Sequence, residues 1–77
     1  MLLSEINQKD IGYGMEVKHL ETGLECEVLG PVTEMSGKIG VMLAYYNRSS
    51  TRQVIMDVED FDKFEITKEK YEDQNTN

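Results

Sequence analysis

The pattern of apolar and polar positions along the chain predicts a series of short β-strands. Met15–Leu20 and Leu24–Leu29 both alternate between apolar and polar residues, with the period of two that is typical of a strand with one buried face. Thr22-Gly23 between them predicts a two-residue hairpin turn, since glycine adopts positive φ without strain. In the resulting register, apolar residues meet on one face and opposite charges meet on the other. The predicted pairs are Val17 with Val28, His19 with Cys26, and Lys18 with Glu27.

A second hairpin is predicted from the most apolar part of the chain. Lys38–Tyr46 and Thr51–Met56 flank a turn signal at Asn47–Ser50, and a four-residue loop there fixes how the two strands pair. One face of this hairpin is expected to form the core, and the other is expected to point away from it. The core pairs are Leu43 with Val54, Val41 with Met56, and Ile39 with Val58; the outer pairs are Met42 with Ile55, Ala44 with Gln53, and Tyr46 with Thr51.

The remaining segments predict turns, one further strand and a tail. Residues 30–37 contain Gly30-Pro31 and Gly37, which predict a loop between the two hairpins. The sequence VEDFD at 58–62 indicates a short 3₁₀ turn, and Lys63–Ile66 follows as a short last strand. Residues 67–77 are polar and acidic, which predicts a disordered tail.

This order of elements resembles the small SH3-like β-barrel, in the broad sense that includes Tudor-like and KOW-like domains. The resemblance implies an all-β fold in which five strands form a barrel over residues 12–66. Residues 1–11 would pack on the barrel as an N-terminal segment, and residues 67–77 would form the flexible tail. The residues that carry the resemblance are Gly14, Val17, Thr22-Gly23, Val41–Tyr45, Arg52–Val58 and Phe61.

Size and composition limit the functions that the chain can have. A chain of 77 residues provides one small domain, in which a deep active-site cavity is not expected. The single cysteine excludes an intramolecular disulfide and fits a reducing, cytoplasmic setting. No stretch has the pattern of a signal peptide or the length of a membrane span. We therefore expect a cytoplasmic protein that does not bind membranes.

Charge is distributed unevenly along the chain. The net charge of −7 argues against general nucleic-acid binding, because phosphates would be repelled. Residues 1–30 sum to −4 and residues 57–77 to −5, whereas residues 31–56 sum to +2. This mildly basic middle between acidic flanks indicates a field that faces a partner.

The candidate catalytic and metal-binding groups do not form a known site. His19 and Cys26 would be neighbours in the predicted register, but no third group accompanies them to orient a nucleophile. The acidic residues from Asp57 to Asp62 lack the glycine and the ligand spacing of a calcium loop. We therefore expect no enzyme activity, no cofactor and no metal site.

The second hairpin is the predicted contact surface. Met42 and Ile55 are apolar on a face that should be polar if it were solvated. Two interpretations remain open: the N-terminal segment covers them through Leu2, Leu3 and Ile6, or a partner protein or second copy of the chain does. The candidate partner-binding residues are Met42, Tyr45, Tyr46, Arg48, Arg52 and Ile55.

These features favour a non-enzymatic protein-binding module whose partner is another protein or, in a homodimer, a second copy. By analogy of size and charge, such a module is typical of small phage or mobile-element proteins that inhibit or regulate a host protein. The alternative is RNA or single-stranded DNA binding, in which tyrosines stack on bases and arginines contact phosphates. The methyl-recognition cage of Tudor-like domains would be incomplete, since the loop at 21–23 has no aromatic residue.

Overall fold

A computed structural model of the protein describes residues 1–47 and 50–69, which form one antiparallel sheet of six strands and three short 3₁₀ helices. Alternating apolar positions produce five of the six strands close to where they were predicted, and β3 lies in the segment predicted as a loop. The strands are β1 (Glu16–His19), β2 (Glu25–Val28), β3 (Thr33–Met35), β4 (Lys38–Asn47), β5 (Ser50–Asp57) and β6 (Phe64–Lys68). The 3₁₀ helices are Leu3–Glu5, Gln8–Asp10 and Val58–Lys63.

The long strand β4 organises the sheet. β5 pairs along one edge of β4, while β2 and then β3 pair with successive parts of its other edge. β1 continues the sheet beyond β2, and β6 pairs with the far edge of β1. β5 and β6 are therefore the two outermost strands of the described sheet, and the short strand β3 likewise pairs with one strand only, β4.

The register between β1 and β2 differs from the predicted one by two residues. Val17 pairs with Cys26 instead of Val28, and Lys18 pairs with Glu25. The connection is longer than a two-residue turn, because the His19 amide donates to the carbonyl of Leu24. A shift of two residues leaves every side chain on its predicted face, so the alternation alone could not reveal it.

The segment predicted as a loop between the hairpins contains strand β3, which raises the number of strands from the predicted five to six. β3 pairs with the start of β4 through a turn at Ser36-Gly37. Both turn residues have positive φ, at 53° and 83°, as a two-residue type I′ hairpin turn requires. A serine in this conformation is uncommon, which is why the segment was not recognised as a hairpin.

The predicted register between β4 and β5 is confirmed in the described strands. Met42 pairs with Ile55, and Leu43 pairs with Val54. The strands continue to the pair Asn47 and Ser50, so the connection is shorter than the predicted four-residue loop.

The far end of the second hairpin departs from the prediction. The pair of Ile39 with Val58 is absent from the described ladder, because β5 ends at Asp57 and Val58 begins a 3₁₀ helix. Ile39 instead pairs with Glu34 of β3 and is 50% exposed. Gly40 pairs with Asp57 at this end of the ladder, and a Cβ there would collide with the carbonyl oxygen of Met56.

The core lies on one face of the sheet, between the strands and the 3₁₀ segments. The N-terminal segment contributes Leu3, and the 3₁₀ helix before β6 contributes Phe61, as the position of the predicted short turn suggested. Both side chains are excluded from water, which ties the two segments to the sheet. The core consists of Leu3, Ile11, Met15, Val17, Cys26, Val28, Val41, Leu43, Met56, Phe61 and Phe64.

The described sheet does not close into the predicted barrel. β5 pairs with β4 alone among the residues described, and β6 does not reach it. The chain crosses from β5 to β6 through the Val58–Lys63 helix, which leaves a gap between the two outermost strands. Val54 faces this gap and remains 38% exposed, whereas barrel closure would have buried it. The predicted tail begins within β6, and residues 70–77 of it lie outside the described residues.

Candidate protein-binding face

A row of three apolar side chains crosses the outer face of the sheet, which is the face opposite the core. The amide of Leu29 donates to the carbonyl of Met42 at 2.9 Å, and Met42 pairs with Ile55. Leu29 and Met42 are half-buried, while Ile55 is 55% exposed. We call Leu29, Met42 and Ile55 the apolar row. Its exposed end lies on β5, at the edge of the sheet.

The N-terminal segment does not cover this row. The amide of Ile66 donates to the carbonyl of Met1 at 2.9 Å, and Leu2 forms a β-bridge with Glu65. These contacts place the segment along β6, at the opposite end of the sheet from β5. Of the two interpretations that the sequence left open, packing by the N-terminal segment therefore leaves Ile55 uncovered.

The predicted site residues divide between the two faces. Met42 and Ile55 share the outer face, whereas Tyr45 and Arg52 pair with each other on the core-facing side of the hairpin. Tyr45 is half-buried and packs against the core, and Arg52 is exposed. Strand alternation already implied this division.

The two remaining predicted site residues are Tyr46 and Arg48. Tyr46 pairs with Thr51 in the ladder, and Arg48 lies outside the described residues.

The outer face becomes acidic on the side away from β5. Glu27 and Glu16 pair directly across β2 and β1, and like charges in that arrangement repel each other. Lys68 approaches Glu16 at 3.8 Å and offsets part of this charge. In the next row, Lys18 lies between Glu25 and Glu65. The two rows hold four carboxylates and two ammonium groups, so this half of the face is negatively charged.

A shallow cleft occupies the gap beside β5 and was not predicted from the sequence. Its volume is about 250 Å³, and its walls come from β5 on one side and from His19 and Phe64 on the other. The Lys63–Asp60 ion pair, with 3.3 Å between Nζ and Oδ1, lies at its rim. The exposed side of Val54 forms part of the lining. The cleft could not be predicted because barrel closure would have filled it.

His19 and Cys26 do not form the neighbouring pair that the predicted register implied. The Nδ1 atom of His19 accepts a hydrogen bond from the Thr22 amide at 3.2 Å, and its ring meets Phe64 edge-on with 4.9 Å between centroids. Cys26 pairs with Val17 and is buried, and burial raises the pKa of its thiol. Desolvation disfavours the thiolate, which is the form that acts as a nucleophile.

The acidic residues after β5 serve local structure. The Asp57 carboxylate accepts from the Glu59 amide at 3.0 Å and caps the 3₁₀ helix, while Asp60 pairs with Lys63. Within residues 1–47 and 50–69, no group of three His, Cys, Asp or Glu side chains is arranged to hold a metal ion.

Comparison with protein-family models, with curated proteins and with solved structures finds no match to this chain. In the part of the chain that the structure describes, no helix has both the length and the apolar character needed to cross a membrane.

Proposed function

We propose that this chain is a non-enzymatic protein-binding module that contacts its partner through the outer face of the β4–β5 hairpin. The observation that carries the proposal is the apolar row, in which Ile55 is 55% exposed and no described segment packs over it. Burying a side chain of this kind contributes about 1.5–3 kcal/mol relative to full exposure. A partner that covers the row would therefore gain a strong central contact.

The charge beside the row indicates the chemistry of that partner. The acidic rows of β1, β2 and β6 lie on the same face as Met42 and Ile55. A partner with an apolar centre and a basic rim on one side would complement this face. Such complementarity raises the rate of encounter more than it raises the final affinity.

The setting that we propose follows from size, charge and cysteine use. The strand order still resembles the SH3-like barrel, and we include that fold, in an incompletely closed form, in the proposal. A small acidic domain without an enzyme site fits an inhibitor or regulator of a host protein in the cytoplasm, of the kind that phages and mobile elements encode.

Partner capture with matched variants tests the proposal. Ile55→Asp places a charge at the exposed end of the row, whereas Ile39→Asp makes the same change at a side chain that is 50% exposed but faces the other way. We expect the wild-type chain and Ile39→Asp to capture the same protein from lysate, and Ile55→Asp to lose it. Thermal melts of both variants provide the folding control. Equal capture by all three proteins would show that the apolar row is not part of the binding site.

The alternative is binding of RNA or single-stranded DNA through the hairpin tip. Tyr45 packs against the core, which removes one of the two tyrosines that base stacking would use. Arg52 remains exposed, so phosphate contacts are still available to this alternative. Salt titration separates the two functions, because nucleic-acid affinity falls steeply with salt and an apolar protein contact does not.

A further inference from the structure

β5 presents an unusually regular edge to solvent. Ser50–Asp57 is eight residues long and pairs only with β4 among the residues described. The ladder between β4 and β5 shows no register shift, and β5 contains neither proline nor glycine. Proteins normally protect such edges with bulges, prolines or short strands, since an unpaired edge is a template for another strand.

The hydrogen-bonding groups of this edge can be assigned residue by residue. The carbonyl of Met42 points to β2, where it accepts from Leu29. In an antiparallel ladder, the amide and carbonyl of one residue point to the same side, so Met42 does not bond to its partner Ile55. The backbone groups of Ile55 therefore point away from β4, and with the period of two those of Gln53 do so as well.

Charge changes sign along β5. Arg52 lies near its start, in the segment 31–56 that carries a net positive charge. Its end leads directly into the acidic 3₁₀ helix, which contributes Glu59 and Asp60. Two such strands that pair antiparallel place the basic end of each beside the acidic end of the other.

We propose that a second copy of this chain adds to the β5 edge, so that two β5 strands pair antiparallel about a two-fold axis at Ile55. This register brings the outward amide and carbonyl of Ile55 into a mutual hydrogen-bonded pair, and it sets Gln53 opposite Asp57 of the second copy. Arg52 then lies beside the end of the second copy's β5, near the acidic residues at 57, 59 and 60. Charge complementarity and the edge hydrogen bonds thus act in the same register.

The same register covers the apolar side chains that β5 leaves exposed. Ile55, which is 55% exposed, meets Ile55 of the second copy on the outer face. Val54, which is 38% exposed, meets Met56 of the second copy on the face that borders the cleft. The apolar row of one copy becomes continuous with that of the other. Because one added strand on each side buries a modest area, we expect a dissociation constant in the micromolar range.

This inference concerns the edge of the sheet and does not depend on the proposed partner on its outer face. The mass of the purified chain tests it without any partner present. A dimer that captures no other protein would leave the inference standing and contradict the proposed function. A monomer that captures a partner through the apolar row would contradict the inference and support the proposed function.

The first experiment is sedimentation equilibrium of the purified chain over a range from micromolar to millimolar concentration. The monomer mass is 8.9 kDa, and we expect the weight-average mass to approach twice that value. Ile55→Lys should remain monomeric, whereas the matched variant Ile39→Lys should dimerise like the wild type. A monomeric wild-type chain at every concentration, or dimerisation unaffected by Ile55→Lys, would overturn the proposal.

Disulfide trapping tests the register. Ile55→Cys in a Cys26→Ala background should oxidise to a covalent dimer, because paired antiparallel residues have Cα atoms about 5.5 Å apart, within disulfide range. Ile39→Cys in the same background should still associate but form no disulfide cross-link, because Ile39 pairs with Glu34 of β3 and lies away from the β5 edge. If both variants cross-link equally, or neither does while the wild type dimerises, the two-fold axis at Ile55 is wrong.

Charge reversal supplies a rescue experiment that a loss of folding could not mimic. Arg52→Glu should weaken dimerisation at least tenfold, because it places a carboxylate against the acidic end of the second copy. Adding Glu59→Lys should restore most of the affinity, although within one chain Arg52 lies near the start of β5 and Glu59 lies in the 3₁₀ helix that follows its end. Absence of rescue in a folded double variant would contradict the antiparallel arrangement.

Discussion

The two outermost strands of the sheet end in different ways. Beyond β6, the N-terminal segment follows the strand, with a hydrogen bond from Ile66 to Met1 and with Leu3 fully buried against the core. Beyond β5, the described chain places nothing, and Val54 and Ile55 remain exposed. The N-terminal segment of the same domain thus covers the edge of β6, whereas no described segment covers the edge of β5.

The two edges differ in where their apolar residues come from. Covering an edge requires apolar residues that bury themselves and backbone groups that complete the ladder, and residues 1–11 supply both at β6. At β5 the apolar residues belong to the strand itself, in the uncharged run Gln53–Met56. An edge with that composition is a binding surface in a soluble protein or a site of aggregation.

The largest expected change in stability comes from truncating Leu3, the side chain through which the N-terminal segment packs against the core. Leu3→Ala should lower the free energy of unfolding by about 2–5 kcal/mol, because the side chain is fully buried and its loss leaves a cavity. Met1→Ala, at a side chain that is 70% exposed, is the matched control and should change stability by less than about 0.5 kcal/mol. Urea denaturation measures both, and equal small effects would show that the N-terminal segment does not stabilise the sheet.

Proline substitutions compare the two edges directly. Ile66→Pro removes the amide that donates to Met1, together with part of a packed side chain, and should cost about 1–3 kcal/mol of stability. Gln53→Pro removes an amide that points away from β4 and should cost less than about 1 kcal/mol, since proline is tolerated on edge strands. Urea denaturation of the two variants at low protein concentration checks this. A larger loss for Gln53→Pro would contradict the assignment of that amide to the uncovered edge.

A charge on the uncovered edge should leave the monomer nearly unchanged. Ile55→Asp should alter the free energy of unfolding by less than about 1 kcal/mol, because the side chain is more than half exposed. The measurement is a urea titration at a concentration where the wild-type chain is monomeric. Disruption of a packed core costs about 1–3 kcal/mol. A loss of about 2 kcal/mol or more in the free energy of unfolding would therefore mean that another part of the chain packs on Ile55 in solution.

The smallest effect is expected at Cys26, which lies in β2, between the two edges. Burial raises the pKa of its thiol, so the unfolded chain releases the thiol proton at a lower pH than the folded chain does. The resulting stability is fully present below the ordinary thiol pKa of about 8.5 and declines as the pH rises above it. Unfolding titrations at increasing alkaline pH should show a slightly steeper loss for the wild type than for Cys26→Ala. Equal slopes would show that the thiol ionises alike in both states.

Much of the sheet could be predicted from residue patterns, and the two hairpins show the limit. In the second hairpin, the pairs Met42–Ile55 and Leu43–Val54 follow from a long apolar run and a short connection, and both are confirmed. In the first hairpin, the alternation places Val17 on the correct face but allows registers that differ by two residues. The hydrogen bond from Thr22 to His19 belongs to the longer turn that decides between them.

The candidate site was only partly predictable for the same reason. Apolar residues at outer positions indicated Met42 and Ile55, whereas grouping them with Tyr45 and Arg52 overlooked the alternation that separates the two pairs. Leu29 was missed because its contact with Met42 depends on how β2 pairs with β4. That pairing joins residues far apart in the chain, and no local pattern specifies it.

Residue patterns were enough to predict that this chain forms antiparallel strands, which faces they bury and where the charges lie, because these properties depend on alternation and composition over a few residues. Only the tertiary structure decided that β3 forms, that the N-terminal segment covers β6, and that β5 is left without a neighbour. β3 depends on the conformation of the two-residue turn at Ser36-Gly37, whereas the two edges depend on which distant segments pack against them in three dimensions.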